Sequence, residues 1–458
     1  MRTGELGFWW HSLGGPGPAR APLQAATDAD VAIVGAGYTG LWSAYYLKRA
    51  DPSLRIVVLE REVAGFGASG RNGGWVSGFF AGAPRAYERH SGRDALIAQQ
   101  RLMFDAVDEV GRFLAEHSLE ADYLRSGLLD VALGPAQAAN QRERVRQARM
   151  RGVGERDLRE LTGAQLEQRV RVAGAQGALF SPHVARVHPA KLLRALAQTV
   201  EALGVVIHEH TPVSEIRPHS AITPAGAVRA RWVLRATEGY TSSLRGCRRT
   251  LVPMNSSMII TRPLSHAQWE QIGWSGQELM SDGAHVYAYL QRTADGRIAI
   301  GGRGVPYRFG SRTDRDGATA RATVRSLHAQ LAAMFPAAAS AEVEHAWSGV
   351  LGVPRDWCAS VGCDPRSGLA WAGGYVGEGV AASNLAARAL CDLLLGREGE
   401  LTALAWVGRA PRAWEPEPLR WVGIRGMYAL YRAADRAERA SGRPSRGAGV
   451  LDVLSGRA

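Results

Sequence analysis

Gly35-Ala36-Gly37-Tyr38-Thr39-Gly40, followed by a carboxylate at Glu60, is the spacing in this chain best suited to hold a phosphorylated ligand. Gly35 permits a tight turn, and Gly37 leaves the backbone open to a pyrophosphate. Gly40 lets a helix lie close on the preceding strand. A helix starting near Tyr38 and Thr39 offers unpaired N–H groups and the positive end of its dipole to phosphates. Glu60 stands 20 residues after Gly40, where a carboxylate accepts hydrogen bonds from a ribose diol. The chemistry is dinucleotide binding. Glu60 would repel the 2′-phosphate of NADP, but the motif alone does not separate NAD from FAD.

These residues need a strand, a turn, a helix and a second strand to position them. Val31-Ala32-Ile33-Val34 is short and apolar, as a buried parallel strand should be. Leu41 to Ala50 predicts the helix and Leu54 to Leu59 the second strand. A bare G-x-G-x-x-G is weak; strand, helix and acid in place around it make the dinucleotide reading strong. An NAD domain would continue with further βα units. Here Arg61 leads into Gly65-Phe66-Gly67-Ala68-Ser69-Gly70-Arg71-Asn72-Gly73-Gly74-Trp75. Such a loop brings backbone N–H groups to a second part of an elongated cofactor. The plain alternative is a flexible linker, against which Arg71, Asn72 and Trp75 argue.

The whole chain sets bounds on partners. Its 458 residues predict two or three domains. The net charge of +12 suggests nucleic acid at first, but Lys48 and Lys191 are the only lysines and the arginines are spread along the chain without a Lys/Arg-dense tail or arm. No nucleic-acid partner is expected. Cys247, Cys358, Cys363 and Cys391 include no CxxC pair, so no zinc or dithiol site is indicated. His183, His188, His208, His210 and His285 show no ligand spacing, and no metal is expected. No apolar run reaches the ~18 residues of a membrane span. Phe8, Trp9 and Trp10 are too short a run for a signal segment, so a soluble cytoplasmic protein is expected.

The segments Asp30–Gly40 and Glu60–Trp75 resemble the D-amino-acid-oxidase-type FAD-dependent oxidoreductases, whose members include glycine oxidase, sarcosine oxidase and γ-glutamylputrescine oxidase. Two later segments extend the resemblance. One runs from His188-Pro189-Ala190-Lys191-Leu192 through Thr211-Pro212-Val213 to Ala236-Thr237-Glu238-Gly239; the other is Ala372-Gly373-Gly374-Tyr375-Val376-Gly377-Glu378-Gly379-Val380-Ala381. The second is a glycine-rich turn into a helix, whose dipole would favour negative charge on a reduced flavin. The resemblance implies an α/β fold, with a Rossmann-type, glutathione-reductase-like FAD-binding domain and a discontinuous α+β substrate domain carrying an antiparallel sheet. The expected FAD-binding segments are 30–82, 180–245 and 345–399, and the substrate-domain segments 83–179 and 246–344. Residues 1–29 would be an N-terminal extension and 400–458 a C-terminal helical one. Helical periodicity in 95–117 and 137–151 and alternating strands at 285–291 and 297–302 suit the substrate domain.

What the resemblance implies for the site follows residue by residue. Gly35, Gly37, Tyr38, Thr39, Gly40, Glu60 and Arg61 would hold the ADP half, with Val213 at the adenine. Gly67, Ala68, Ser69, Arg71, Asn72, Gly73 and Gly74 would pass alongside the flavin. Ala236 and Thr237, then Gly374, Tyr375, Gly377, Glu378, Gly379 and Val380, would close the other side. The reaction implied is hydride transfer from the carbon beside an amine to flavin N5, hydrolysis of the resulting imine, and re-oxidation by oxygen or another electron acceptor. A dehydrogenase serving a quinone or carrier protein, and a non-catalytic flavin-binding subunit, stay open as alternatives.

Two departures from the family pattern matter. Amino-acid-oxidising members pair the substrate carboxylate with an arginine, which in glycine oxidase follows a Trp-x-Gly motif by two residues; here Trp347-Ser348-Gly349-Val350 leads to Leu351. Arg303 or Arg355 would have to pair a substrate carboxylate instead. Members that tether FAD do so through a cysteine where this chain has Gly349, so FAD is expected to be non-covalent, with Cys358 and Cys363 as buried apolar residues. Glu378, where polyamine-oxidising relatives carry histidine, would bind a cationic amine, tune the flavin or merely start a helix. Trp75 is a candidate pocket wall; Tyr287, Tyr289 and Trp357 fit core positions better. Leu419 to Arg439 reads as a basic amphipathic helix that docks internally, on another subunit or on a membrane surface. The substrate, the acceptor and the oligomeric state stay open.

Overall fold

A computed structural model describes residues 1–313 and 316–457 as a mixed α/β protein built on two large sheets. The first sheet has a parallel centre. Thr27–Val34, apolar over its last four residues, pairs in parallel with Ile56–Leu59 on one side and Gly226–Arg235 on the other. Val206–His208 and Leu369–Gly373 extend it outward, again in parallel. Strands buried on both faces need apolar residues throughout, and Val31, Ala32, Ile33, Val58 and Val233 are nearly or wholly inaccessible. Tyr38–Ala50 packs between the helices Pro189–Ala202 and Gly379–Leu394.

The second sheet has nine strands and is mostly antiparallel. Its centre is Val343–Val353 on Val252–Thr261, followed by Ile298–Gly302, Tyr289–Arg292 and Leu279–Asp282. Leu128–Ala132, Gly177–Ser181 and Arg159–Thr162 complete it. Pro84–Glu116, broken at Gly92 (φ 84°), and Pro135–Met150 supply the expected helices of the first insertion. Among the described residues no helix is long and apolar enough to cross a membrane.

Three boundaries differ from expectation. The strand Thr27–Val34 begins inside the segment expected as an N-terminal extension, residues 1–29, and the rest of that segment is tied in: Arg2–Thr3 pairs in parallel with Val343–Val353, and Phe8, Trp9 and Trp10 are buried. Three consecutive large apolar side chains supply the burial that fixes this segment. Val343–Val353 belongs to the nine-stranded sheet, so the chain rejoins the first sheet at Ser360–Asp364 and not at residue 345. The strand expected over 285–291 begins only at Tyr289, because the Asp435 carboxylate takes the N–H groups of His285 (2.8 Å) and Val286 (3.2 Å). Those donors are lost to any ladder. The C-terminal helix runs Leu419–Ser441 and docks its inner face internally; Ile424, Tyr428 and Tyr431 are buried.

Candidate functional site

The first sheet ends in a long cleft at the carboxyl ends of its strands, where ligands of open parallel sheets bind. One end is lined by Gly35, Gly37, Glu60, Arg61, Val213 and Ala236. The middle is lined by Thr39, Ser69, Glu238, Tyr375 and Gly379. The far end opens into a cavity between the two sheets, walled by Trp75, Tyr287, Tyr289, Arg303 and Glu378 among others. Successive stretches share Tyr38, Thr39 and Ala68, then Ala68, Val376 and Gly377, so the cleft is continuous.

Local structure explains each wall. Gly35 has φ 107°, and a Cβ there would lie 2.7 Å from the Ala236 carbonyl oxygen. A Cβ on Gly40 would meet the Gly35 carbonyl oxygen at 2.0 Å, so only glycine lets this helix lie so close to the strand. At Gly37 the missing side chain makes room for Ser69, whose hydroxyl, 2.8 Å from where a Cβ would be, accepts the Tyr38 N–H at 2.9 Å. The helix start is thus tied to the second loop. Glu60 is half-buried, and its carboxylate accepts N–H groups from Ala36 (2.8 Å) and Glu62 (3.0 Å). Burial outweighs those two bonds and raises its pKa. Arg61 stacks 5.2 Å from the centre of the Tyr240 ring.

The loop after Glu60 is fixed from several sides. Asn72 donates to the Ser69 carbonyl and accepts from the Gly74 N–H, both at 2.7 Å. Trp9 and Trp347 donate from their indoles to the carbonyls of Asn72 (2.8 Å) and Arg71 (2.9 Å). Gln291 donates to the Gly73 carbonyl at 2.6 Å. The buried Arg71 guanidinium lies 4.4 Å over the Phe66 ring and donates to the Glu5 carbonyl. A disordered linker has no such bonds; this is a rigid wall.

The cavity brings together Trp75, Arg303 and Glu378. Burial raises the pKa of Glu378, opposed by a hydrogen bond from Ser77. The Nη1 of Arg303 is buried with no hydrogen-bond partner among the described residues, and no ion pair joins Arg303 to Glu378 there. Tyr289 shares a hydrogen bond of 2.9 Å with Ser256 and meets Trp75 edge to face. Tyr287 and Tyr289 therefore line the cavity instead of the core where strand periodicity placed them, while Trp357 is 5% exposed and packs in the core.

Some expected residues lie elsewhere. Arg355 is off the cavity, paired with Glu415 at 2.9 Å and lying 5.4 Å from the Trp414 ring centre. An arginine already paired with a carboxylate has no fork to offer a substrate. Gly40, Gly74 and Gly374 do not line the cleft; their small size serves packing, as where a Cβ on Gly74 would meet Gln291 at 2.2 Å. Cys358 is buried against Tyr87 and Gly82, and its thiol pKa is pushed up to about 11 by burial. Neither Cys358 nor Cys363 lines the cleft.

Glu238 was not anticipated as part of the site. It follows the Gly226–Arg235 strand at φ 41°, and its Oε1 accepts N–H groups from Gly374 (2.9 Å) and Tyr375 (3.1 Å). Its Oε2 lies where a Cβ on Gly352 would be, 2.0 Å away. Burial pushes its pKa to about 7. One carboxylate so fastens the second glycine-rich turn to the first sheet, inside the cleft. Only an acid three residues after a strand hinted at it.

The profile of the FAD-dependent oxidoreductase family matches residues 30–393, a span that includes every segment of this cleft. The chain belongs to that family. Relatives include the γ-glutamylputrescine oxidoreductase of Escherichia coli strain K12, 27% identical over 396 residues, covering 84% of this chain and 87% of that protein. The probable oxidoreductase OrdL of Haemophilus influenzae is 26% identical, covering 83% of this chain and 86% of that one. The crystal structure of glycine oxidase from Geobacillus kaustophilus superposes with a TM-score of 0.67 at 21% identity, covering 82% of this chain and 96% of that one. L-proline dehydrogenase from P. horikoshii has the same TM-score, 0.67, at 18% identity. Likeness at these identities shows a shared fold. The family's FAD fits the cleft: Glu60 stands at one end, glycine-relieved backbone and a helix start in the middle, and the cavity at the other.

Proposed function

We propose that this flavoenzyme oxidises the C–N bond of a small substrate carrying both an amine and a carboxylate. The observation that supports this is Arg303, whose buried Nη1 has no hydrogen-bond partner among the described residues, in one cavity with an acid, Glu378. Isolated buried charges are costly, and a ligand of opposite charge relieves the cost. Arg303 would hold the substrate carboxylate through its planar fork. Glu378, whose pKa burial raises, would meet the ammonium group and take a proton from it, leaving the neutral amine that oxidation requires. Trp75, Tyr287 and Tyr289 would orient the carbon between them and exclude water.

FAD, held without a covalent link by Gly35 to Thr39, Glu60 and the 67–73 loop, would supply the acceptor for the two electrons leaving with the C–H bond. The nitrogen lone pair then forms the C=N bond, and water converts the released imine to a carbonyl and an amine. Oxygen is the proposed final acceptor.

The test begins with an absorbance spectrum before and after acid precipitation. Flavin released into the supernatant supports non-covalent FAD; colour held in the pellet sinks that claim. Amino acids and their decarboxylated amines are then mixed anaerobically with the enzyme. Bleaching by the former and not the latter is expected. Equal bleaching by both would remove Arg303 from the reading. Peroxide formed on admitting air supports oxygen, and its absence with turnover on a dye refers the electrons to another acceptor.

A further inference from the structure

We propose that the C-terminal pair of helices, Leu419–Ser441 and Arg446–Ser455, is a docking face for an anionic phospholipid surface. The helix of a soluble protein turns a charged face to water. Here the outward face carries Leu419, Val422, Gly426, Leu430, Ala433 and Ala437, with no charge among them. Leu419, Val422 and Leu430 are 62%, 57% and 53% exposed. The following helix adds Val450, Val453 and Leu454 at 60%, 67% and 69%. These are six of the larger exposed apolar side chains of the molecule, gathered on two adjoining helices.

Charge identifies the partner. Residues 419–457 hold eight arginines against three acids. Arg425, Arg432, Arg436, Arg439, Arg443 and Arg446 are exposed, and none makes an ion pair among the described residues. Two of the acids, Asp435 and Glu438, turn inward onto the His285 segment, and Asp452 is taken by the Tyr431 hydroxyl. At 100° per residue, Arg425, Arg432, Arg436 and Arg439 fall along one flank of the apolar stripe. A surface that is apolar at its centre and cationic along its edge matches acyl chains beneath anionic headgroups. A symmetric antiparallel pairing of two copies would set the arginine row against itself. The inner face of the same helix stays buried against the core beside the substrate cavity, so docking requires no unfolding.

The experiment is sedimentation of the full-length flavoprotein with vesicles of phosphatidylcholine alone or mixed with phosphatidylglycerol. Binding to the mixed vesicles alone, at low salt and reversed at high salt, is expected. Arg425→Gln and Arg436→Gln should each weaken partitioning about fivefold. Leu430→Asp with Val453→Asp should abolish it while flavin absorbance and turnover with a soluble substrate persist, which shows the variants are folded. Protein that stays in the supernatant with anionic vesicles at low salt overturns the proposal. So does binding that ignores the two aspartates, or a dimer by sedimentation velocity that Leu430→Asp splits, or an acidic protein that competes the vesicles off without touching Leu430 or Val453.

Discussion

At Glu238 a carboxylate is buried with two N–H donors to one oxygen and a pKa near 7, raised by loss of solvation. Because the folded-state value lies above the unfolded one, the stability this group contributes is fully present below about pH 4.5 and is lost as pH rises through about 7. The loss is on the order of 3 kcal/mol. Glu238→Gln keeps an acceptor for Gly374 and Tyr375 but cannot ionise. We expect its thermal midpoint to exceed that of the native protein above pH 7, with the difference vanishing near pH 4.5. Asp282, also pushed to about 7 by burial, titrates in both proteins, so only the difference between them reports Glu238. Equal pH profiles would show that the carboxylate is relieved by other means. Arg303→Ala should raise KM for a carboxylate-bearing amine roughly hundredfold, about 3 kcal/mol for a charge-assisted pair, while leaving flavin content unchanged. A variant that also loses flavin would make Arg303 part of the cofactor's support.

The helix Tyr38–Ala50 starts at the cleft proposed to hold FAD, and Gly40 sets its distance from the strand. Gly40→Ala places a methyl 2.0 Å from the Gly35 carbonyl, so the helix must move or the turn must open. A cost of about 3 kcal/mol and purification as a largely colourless protein are expected, read by thermal melting and the flavin spectrum. Trp9→Phe removes only one hydrogen bond to the loop, costs about 1 kcal/mol, and should weaken FAD retention on dilution. These elements were legible in the sequence because their signals are local: a β-branched run, a glycine spacing, a 3.6-residue period. The 285–288 segment was misread as strand because Asp435, which removes its donors, lies 150 residues away. Glu238 and the meeting of Arg303 with Glu378 were illegible or ambiguous for the same reason. No short-range pattern says which distant loops will share a cavity, and Arg303 and Arg355 were indistinguishable until Glu415 was seen to occupy one of them.

Across the whole molecule, the cleft draws its walls from residue 34 to residue 383, so a bound cofactor would cross-brace segments the chain visits far apart. Ligand that binds only the folded state stabilises it by about 2.7 kcal/mol at a hundredfold excess over Kd. The thermal midpoint of flavin-stripped protein should therefore climb with added FAD and fall back on dialysis. Insensitivity to added FAD in stripped protein would mean the cleft does not hold it. The pairing of Thr27–Val34 with Gly226–Arg235 has a consequence in time. Synthesis proceeds at roughly 5–20 residues per second, so the first strand leaves the ribosome on the order of ten to forty seconds before its neighbour exists. Throughout that interval the nascent chain carries an apolar parallel strand with one edge open, at the moment when it is least able to shield it. An open apolar edge of that kind is a template for pairing with other chains, so slowed or crowded synthesis should raise the aggregated fraction.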